Sequence, residues 1–328
     1  MRYLRAALAL TATLALSCPA SAADWPTRPV RVISTFAAGG TADILARIVA
    51  DHLSSAFKQQ FYVEVRSGAG GQIGVRSLME SEPDGYNLAI VNVSHLVLHP
   101  LTRTDVHYNP LKDLTNIVFV GGSPVVLSVN SQKSGIKTLK EFVDRGKKDI
   151  LTYSSSGLGS MGHLVAAHFA EVAKIKTEHV PYKGASQALN DLVGGHIIWS
   201  SQTVSSTASM MRGGTLTGLA VSTEERLPDW PDLPTFKEQG YPQLVASIWF
   251  GLAGPANMPP DLVKKINEEV IRGLKEPKTA ARMRHDGLVT NAMTPEQYSK
   301  FIENEGKVWG PIVKQVGLAV NKDAKADK

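Results

Sequence analysis

The stretch ILTYSSSGLGSMGHL at residues 150–164 leads from a short apolar run, typical of a strand, into a glycine-rich turn. Gly157, Gly159 and Gly162 match the pattern G-x-G-x-x-G, with which strand–turn–helix units bind a dinucleotide pyrophosphate. Glu178 lies at roughly the 20-residue distance at which that fingerprint places an acid. The stretch therefore predicts a strand, a turn that approaches a ligand closely, and a helix whose N-terminal N–H groups face an anion.

The start of the chain argues against a dinucleotide. Arg2 and Arg5 precede an apolar run that ends near Leu16, and a small-residue cleavage site follows at residues 20–23. This order is typical of a secretory signal peptide, which we assign to residues 1–23. The apolar run is shorter than the about 20 residues of a bilayer span. An exported protein, most simply a periplasmic one, has little NAD to bind, so no cofactor is expected.

The only cysteine of the sequence, Cys18, falls inside this leader. The four residues that end at Cys18 loosely resemble a lipoprotein box, so lipidation stays open, although the later small-residue site is the better candidate for cleavage. The processed protein would then have no disulfide, thiolate nucleophile or cysteine-ligated metal. The net charge of +5 is scattered, without a basic stripe interleaved with aromatic residues, so no nucleic acid partner is expected.

Strand and helix patterns alternate along the whole chain, which predicts an α/β fold of parallel, doubly wound sheets. The 328 residues exceed the roughly 250–300 that one core holds. We expect two domains without a linker, joined by crossing strands and a hinge, with the C-terminal helices packed on the first domain. The expected division is 24–124 and 246–328 for domain 1 and 125–245 for domain 2. The predicted strands are 30–34, 61–65, 86–91, 117–120 and 125–129, and the predicted helices are 42–56, 139–145, 163–172, 187–194, 261–274 and 295–316.

A second glycine loop, STFAAGGTAD at residues 34–43, also joins a strand to a helix. Gly39 and Gly40 permit an unusual backbone path. Thr41 is placed to cap the helix, and Asp43 in the first turn can bind the loop's N–H groups. Alone, the loop could be a well-capped turn. Because ligands of open α/β sheets bind beyond the carboxyl ends of strands, two such loops in separate halves predict a cleft lined with backbone donors and suited to a carboxylate.

Six segments in the same order along the chain carry a resemblance to a known family: WPTRPVRVIS (25–34), FAAGGTADILAR (36–47), RSGAGGQIG (66–74), PDGY (83–86), VPYKG (180–184) and WFGL (249–252). They resemble the Bug proteins, the extracytoplasmic solute receptors of tripartite tricarboxylate transporters (the TctC family). The resemblance implies a periplasmic-binding-protein-like receptor without catalytic activity, in which two domains close on a small organic carboxylate as a Venus flytrap. It implies delivery of that ligand to the membrane permease subunits of a transporter, and we expect the receptor to be a monomer.

The same resemblance implies that backbone N–H groups and ordered waters from two loops hold the ligand carboxylate. The loops correspond to residues 36–41 with Asp43 and to residues 156–163, and Ser94 and residues 183–185 are expected to face the cleft. The expected ligand-binding residues are Phe36, Ala37, Ala38, Gly39, Gly40, Thr41, Asp43, Ser94, Ser156, Gly157, Gly159, Ser160, His163, Lys183, Gly184, Ala185 and Gln202.

The chain departs from the family pattern after Gly195. Relatives commonly read QVDVMFDN there, whereas this sequence reads HIIWSSQT at residues 196–203, with Ile198 and Gln202 in place of the aspartates. A neutral Gln202 with Trp199 nearby favours a ligand with more negative charge or more flat apolar surface, such as an aromatic dicarboxylate. The alternative is that Trp199 points into the domain core.

Two other classes of function stay open. An exported serine hydrolase would need a serine of residues 154–160 to act with His163, although the sequence has no G-x-S-x-G elbow. A ligand sensor would present its closed form to a membrane signalling protein, and no residue separates that role from transport.

Two histidine pairs are close enough in sequence to be candidate metal ligands. His95 and His99 are four residues apart, but Pro100 argues against a helix there. His163 and His168 are five apart, which places them on different faces of a helix. Neither pair matches H-E-x-x-H, so no metal is expected, and we interpret all four as surface or capping histidines.

Overall fold

The computed structural model describes residues 25–320 of the chain. The expected signal peptide, Cys18 and the lysine-rich end at 322–328 lie outside the described residues. Within residues 25–320, none of the helices combines the length and the apolar character that a bilayer crossing needs.

Between residues 25 and 320 the chain forms nine strands and eleven α-helices, with a 3₁₀ turn at Ala69–Gly71 and a π-helical turn at Ser94–Leu98. The strands are β1 Val30–Ser34, β2 Phe61–Val65, β3 Asn87–Asn92, β4 Leu114–Val129, β5 Leu151–Ser155, β6 Thr177–Pro181, β7 Trp199–Thr203, β8 Thr217–Val221 and β9 Ser247–Pro255. The helices are α1 Thr41–Phe57, α2 Gln72–Met79, α3 His99–Thr102, α4 Ser131–Ser134, α5 Leu139–Gly146, α6 Met161–Ala173, α7 Ala185–Gly194, α8 Val204–Arg212, α9 Pro260–Lys275, α10 Pro277–His285 and α11 Pro295–Gln315.

The strands are joined in the order β2-β1-β3-β9-β4-β7-β5-β6, and β8 pairs with β4. We call the part around β1, β2, β3 and β9 the first lobe and the part around β5, β6, β7 and β8 the second lobe. Within each lobe the strands that alternate with helices pair in parallel. The pairs that involve β4 or β9 are antiparallel. The sheet is therefore mixed, not wholly parallel as the strand–helix alternation predicts, because the crossing strands re-enter each lobe from the other.

Strand β4 is the main connection between the lobes. Its residues 114–124 pair with β9, and its residues 125–129 pair with β7. The prediction of two separate strands at 117–120 and 125–129 is therefore wrong. The intervening residues read as a break because they include two glycines and a proline, yet Gly122 exchanges both backbone hydrogen bonds with Val289. The two glycines let the backbone at Val289 lie close against this strand, and they do not interrupt it.

Each lobe has its own apolar core. The first lobe's core takes side chains from β1, β3, β9 and the helices packed on them, and the second lobe's core surrounds Phe142, Phe169 and Trp199. Met161 and Leu164 at the start of α6 belong to the core of the first lobe, although the rest of α6 lies in the second. The two lobes are therefore in direct contact along the N-terminal turn of α6.

The C-terminal helices pack on the first lobe, as expected. Tyr298, Ile302 and Trp309 of α11 are buried in its core. Trp249 of β9 donates its indole N–H to Glu305 Oε2 at 2.7 Å. The last long helix thus covers the strand that returns from the second lobe.

We expect Gly251→Ala to destabilise the first lobe. A Cβ at Gly251 would lie 2.0 Å from the Tyr298 hydroxyl, and Tyr298 is fully buried. Overpacking of this kind costs about 1–3 kcal/mol and sometimes more, which urea unfolding would measure. Gly306→Ala in α11 is the matched control, because a Cβ there meets nothing within 4 Å and alanine favours a helix by up to about 1 kcal/mol. Equal stability of the two variants would contradict this reading of the packing.

Candidate functional site

The two glycine loops face each other across the closed lobes. The first follows β1 and ends at α1, and the second follows β5 and ends at α6. Between them lies a narrow cavity of about 30 Å³, which can hold ordered water but is far too small for an organic acid. The lobes must therefore part to admit anything larger. The cavity is lined by Phe36, Gly40, Thr41, Ala42, Asn92, Ser94, Ser156, Ser160, Met161, Gly162, Ala185, Gln202, Thr203, Ile248 and Phe250.

Four helices begin at this cavity. The first N–H groups of a helix have no intrahelical acceptor, and the helix dipole adds a partial positive charge there. None of the described residues that line the cavity carries a charged side chain, so these helix ends dominate its electrostatics. The lining residues at the helix starts are Gly40, Thr41 and Ala42 for α1, Ser160, Met161 and Gly162 for α6, Ala185 for α7 and Thr203 for α8.

Asp43 fixes the shape of the first loop without lining the cavity. Its Oδ2 accepts hydrogen bonds from the Gly39 N–H at 3.0 Å and from Arg47 Nε at 3.1 Å. Asp43 is only 5 % exposed and is not part of the cavity lining. The sequence prediction that this carboxylate binds the loop's N–H groups is confirmed, and the side chain acts on the loop's shape.

Thr41 does not cap α1, contrary to the sequence prediction. Gly40 occupies the N-cap position without a side-chain hydrogen bond, and Thr41 is the first helical residue. The Thr41 hydroxyl instead shares hydrogen bonds of 2.7 Å with Thr203 Oγ1 and with Ser205 Oγ, both in the second lobe. Glycine at the N-cap leaves the threonine side chain available for this contact between lobes.

Further hydrogen bonds join the lobes around the cavity. The Met161 N–H donates to Ser94 Oγ at 3.2 Å, and the Ser186 hydroxyl donates to the Ala38 carbonyl at 2.5 Å. A Cβ at Gly184 would lie 2.9 Å from the Ala37 backbone nitrogen. Backbone from the two lobes therefore meets at van der Waals distance, and the structure is the closed form.

The second loop is shaped by a cap and a stacked histidine. Ser160 Oγ accepts from the His163 N–H at 3.3 Å and so caps α6, while His163 Nδ1 accepts from the Gly159 N–H at 3.2 Å. The His163 and His179 rings stack with centroids 3.9 Å apart. Burial lowers the pKa of His163 to about 4 and that of His179 to about 3. Both rings are therefore neutral near pH 7 and offer an anion no charge.

The structure brings about half of the expected ligand-binding residues to the cavity wall. The expected residues that line it are Phe36, Gly40, Thr41, Ser94, Ser156, Ser160, Ala185 and Gln202. The expected residues that lie outside the lining are Ala37, Ala38, Gly39, Asp43, Gly157, Gly159, His163, Lys183 and Gly184. Most of the second group supports the loops or the contact between lobes, and the Lys183 side chain is exposed.

Several lining residues were missed by the sequence prediction. Ile248 and Phe250 come from the crossing strand β9, and Asn92 ends β3. Phe250 lies inside the segment WFGL that carries part of the family resemblance, which was the available signal. Met161 and Gly162 also line the cavity; both lie in the expected loop 156–163 but are not among the individually expected ligand-binding residues.

Trp199 and Gln202 lie on opposite sides of β7. Trp199 is 1 % exposed, packs edge-on against Phe142 at 5.2 Å between ring centroids, and donates its indole N–H to the Leu151 carbonyl. The core alternative for Trp199 is therefore the correct one. Gln202 lines the cavity, where its Oε1 accepts a 2.7 Å hydrogen bond from the Ser156 hydroxyl.

The histidine that pairs with a serine near the second loop is not the one that the hydrolase alternative names. Ser155 Oγ and His179 Nε2 are hydrogen-bonded at 2.7 Å, whereas the hydrolase alternative pairs a serine with His163. Ser155 is fully buried and also donates to the Gly157 carbonyl. Its hydroxyl is thus enclosed by its own loop and is not presented to a substrate.

His95, His99 and His168 are core residues, whereas the sequence predicts surface or capping histidines. His95 and His99 are fully buried, and the π-helical turn runs directly into α3 with Pro100 in its first turn, where proline is tolerated. Burial lowers the pKa of His95 to about 3 and that of His99 well below its usual value. His168 is 7 % exposed. Among residues 25–320, no group of three or more histidines, cysteines and acids is arranged to hold a metal.

The family model described as "Tripartite tricarboxylate transporter family receptor" matches residues 45–318. The chain is 30% identical to Protein BugT of Bordetella pertussis over 309 residues, which cover 93% of this chain and 94% of BugT.

Two solved structures with bound carboxylates are similar over nearly their whole length. R. palustris Rpa4515 with adipate is 29% identical, with a TM-score of 0.87, and the match covers 90% of this chain and 99% of that one. MatC (Rpa3494) from Rhodopseudomonas palustris with bound malate is 26% identical, with a TM-score of 0.83 and coverage of 88% and 100%. The two-lobed α/β architecture is thus that of periplasmic solute receptors.

Proposed function

The chain belongs to the tripartite tricarboxylate transporter receptor family, and from that premise we propose that it captures a small organic carboxylate between its two lobes. The observation that carries the proposal is the convergence of four helix N-termini on a cavity whose described lining has no charged side chain. Each charge-assisted hydrogen bond from such an N–H group contributes about 1.5–3 kcal/mol. Several of them hold a carboxylate without a buried ion pair, which suits a receptor that must release its ligand.

In this proposal the ligand acts on the protein by holding its two domains closed. The domain division is 24–124 with 246–328 against 125–245, and the hinge lies where β4 and β9 cross. A ligand that contacts both loops stabilises the closed form over the open one and shifts that equilibrium. The closed monomer, in the periplasm, then docks on the membrane subunits of a tripartite transporter. The bound adipate and malate of the two similar structures support the carboxylate part of this proposal.

An aromatic dicarboxylate is one ligand class within the proposal. Trp199 does not contribute to it, because that side chain lies in the core of the second lobe. Phe36 and Phe250 line the cavity instead and offer apolar ring surface on the first lobe's side. Gln202, which is neutral, adds no repulsion toward a second carboxylate.

A thermal-shift screen of processed protein, refolded to strip carried-over ligand, tests the proposed function. The panel contains citrate, aliphatic and aromatic dicarboxylates, acidic amino acids, and NAD as a negative control. A ligand at about 100 times its Kd adds about 2.7 kcal/mol of stability, which corresponds to several degrees.

We expect Asp43→Ala to abolish the shift, because the Gly39 N–H then loses its acceptor and the first loop loses its shape. Asp144→Ala, which removes an exposed acid of α5 paired with Lys140, is the control and should leave the shift intact. A shift with NAD alone would overturn the receptor assignment.

A further inference from the structure

Gln202 presents an unpaired donor to the cavity. The side chain is 2 % exposed, and its Oε1 is occupied by the Ser156 hydroxyl. Its Nε2 is buried without a hydrogen-bond partner among the described residues. A buried donor left unpaired costs about 1–3 kcal/mol. A ligand that fills the cavity and displaces water from it must therefore supply an acceptor for Nε2 or leave this donor unpaired.

The surroundings of Gln202 restrict what that acceptor can be. Ser156 follows β5 and Gln202 lies on β7, so two neighbouring strands of one sheet hold the amide in place. The helix starts that are suited to a first carboxylate include those of α1 and α6, on either side of the cavity. An amide N–H₂ group donates and cannot accept, so the ligand must offer an oxygen lone pair there; an ammonium group has none, and a hydroxyl satisfies the amide only through its oxygen.

We propose that Gln202 Nε2 selects ligands that carry a second acceptor group, a carboxylate or carbonyl oxygen, in addition to the carboxylate held by the helix N-termini. This inference rests on the proposed function and names the ligand class of the same site. It excludes simple monocarboxylates with hydrocarbon tails as the preferred ligands. It also excludes ligands that place an ammonium group at Gln202, because two donors would then face each other without an acceptor.

The test compares matched acids on wild type and two variants by isothermal titration. The pairs are adipate with hexanoate, succinate with butanoate, and phthalate with benzoate, each of which differs by the second carboxylate. Of the three diacids, the one that wild type binds most tightly should bind at least 10-fold more tightly than the monoacid of the same pair. Gln202→Met, which keeps the length and removes the amide, should weaken diacid binding about 10- to 100-fold and leave monoacid binding within about 3-fold.

Gln202→Glu keeps the size of the side chain and replaces the donor by a negative charge, so it should abolish diacid binding near pH 7. Thermal unfolding of the unliganded variants checks that both are folded. Equal affinity of wild type for monoacid and diacid, or an equal loss of both in Gln202→Met, would overturn the role of Gln202 while leaving a carboxylate receptor in place. If wild type binds no acid of the panel, the proposed function itself fails, and this inference fails with it.

Discussion

Gly162→Ala is expected to abolish tight ligand binding and to destabilise the closed protein. Gly162 is the second residue of α6 and lines the cavity. A Cβ at this position would lie 2.4 Å from the Ser201 carbonyl oxygen of β7. That oxygen belongs to a strand in the middle of the sheet and cannot rotate away as a side chain does. The start of α6 must therefore move away from β7 by about 1 Å to reach an ordinary contact distance.

A movement of α6 disturbs several parts of the site together. Ser160 and Met161 lie at the same helix start, and the Met161 N–H donates to Ser94 in the first lobe. On the other side of the clash, Gln202 directly follows Ser201 and is bonded to Ser156. Loss of two charge-assisted hydrogen bonds to a carboxylate would weaken binding by at least about 100-fold.

Isothermal titration with the best carboxylate and urea unfolding would measure these two effects. The unfolding free energy should fall by about 1–3 kcal/mol. Gly310→Ala is the control, since it adds the same methyl group to α11 where nothing lies within 4 Å, and it should change neither quantity for the worse. Retention of wild-type affinity by Gly162→Ala would mean that the start of α6 does not hold the ligand.

Local elements could be predicted well from the sequence, because their signals are local. The strand–glycine–helix units at β1–α1 and β5–α6 follow from apolar runs and glycines, and the structure has both. The helix at α6 begins at Met161 rather than at the predicted 163, since the cap at Ser160 defines the first turn. The family resemblance, which uses the whole order of segments, is confirmed by the comparisons.

Features that depend on distant parts of the chain could not be predicted in this way. β4 reads as two strands because Gly121 and Gly122 resemble a break until β9 and Val289 are placed beside them. Thr41 reads as a cap because its partner, Thr203, is 162 residues away. In each case the local pattern permits two outcomes, and packing between the lobes selects one.

Which face of a strand meets the ligand also depends on distant parts of the chain. In HIIWSSQT, alternation places Trp199 and Gln202 on opposite sides of β7, but both sides of this strand are buried. Hydrophobicity alone does not tell which side meets the ligand. The hydrogen bond between Ser156 and Gln202 identifies the cavity side, and it exists only when β5 and β7 are neighbours.

Acid is expected to destabilise the protein through His163, with a loss of about 1.4 kcal/mol of unfolding free energy per pH unit between about pH 6 and pH 4. Burial lowers the pKa of this ring from 6.5 to about 4 in the folded state. In that window the unfolded chain binds a proton that the folded chain does not, so stability is full above pH 6.5 and falls as the pH falls toward 4. Protonation would also place a charge 3.9 Å from the stacked ring of His179.

His163→Asn isolates this contribution, because the Asn Oδ1 can still accept the Gly159 N–H that His163 Nδ1 accepts in the wild type. Urea unfolding at several pH values from 7.5 to 4.5 should give a variant whose stability depends less on pH, by about 1.4 kcal/mol per unit in this window. His107→Asn, at an exposed position, should follow the wild-type curve. If the unfolding free energies of the two variants depended on pH in the same way, the His163 ring would have to bind protons in the folded protein as it does in the unfolded chain. The second loop would then be open in solution, and the stacked pair could not be what holds its shape.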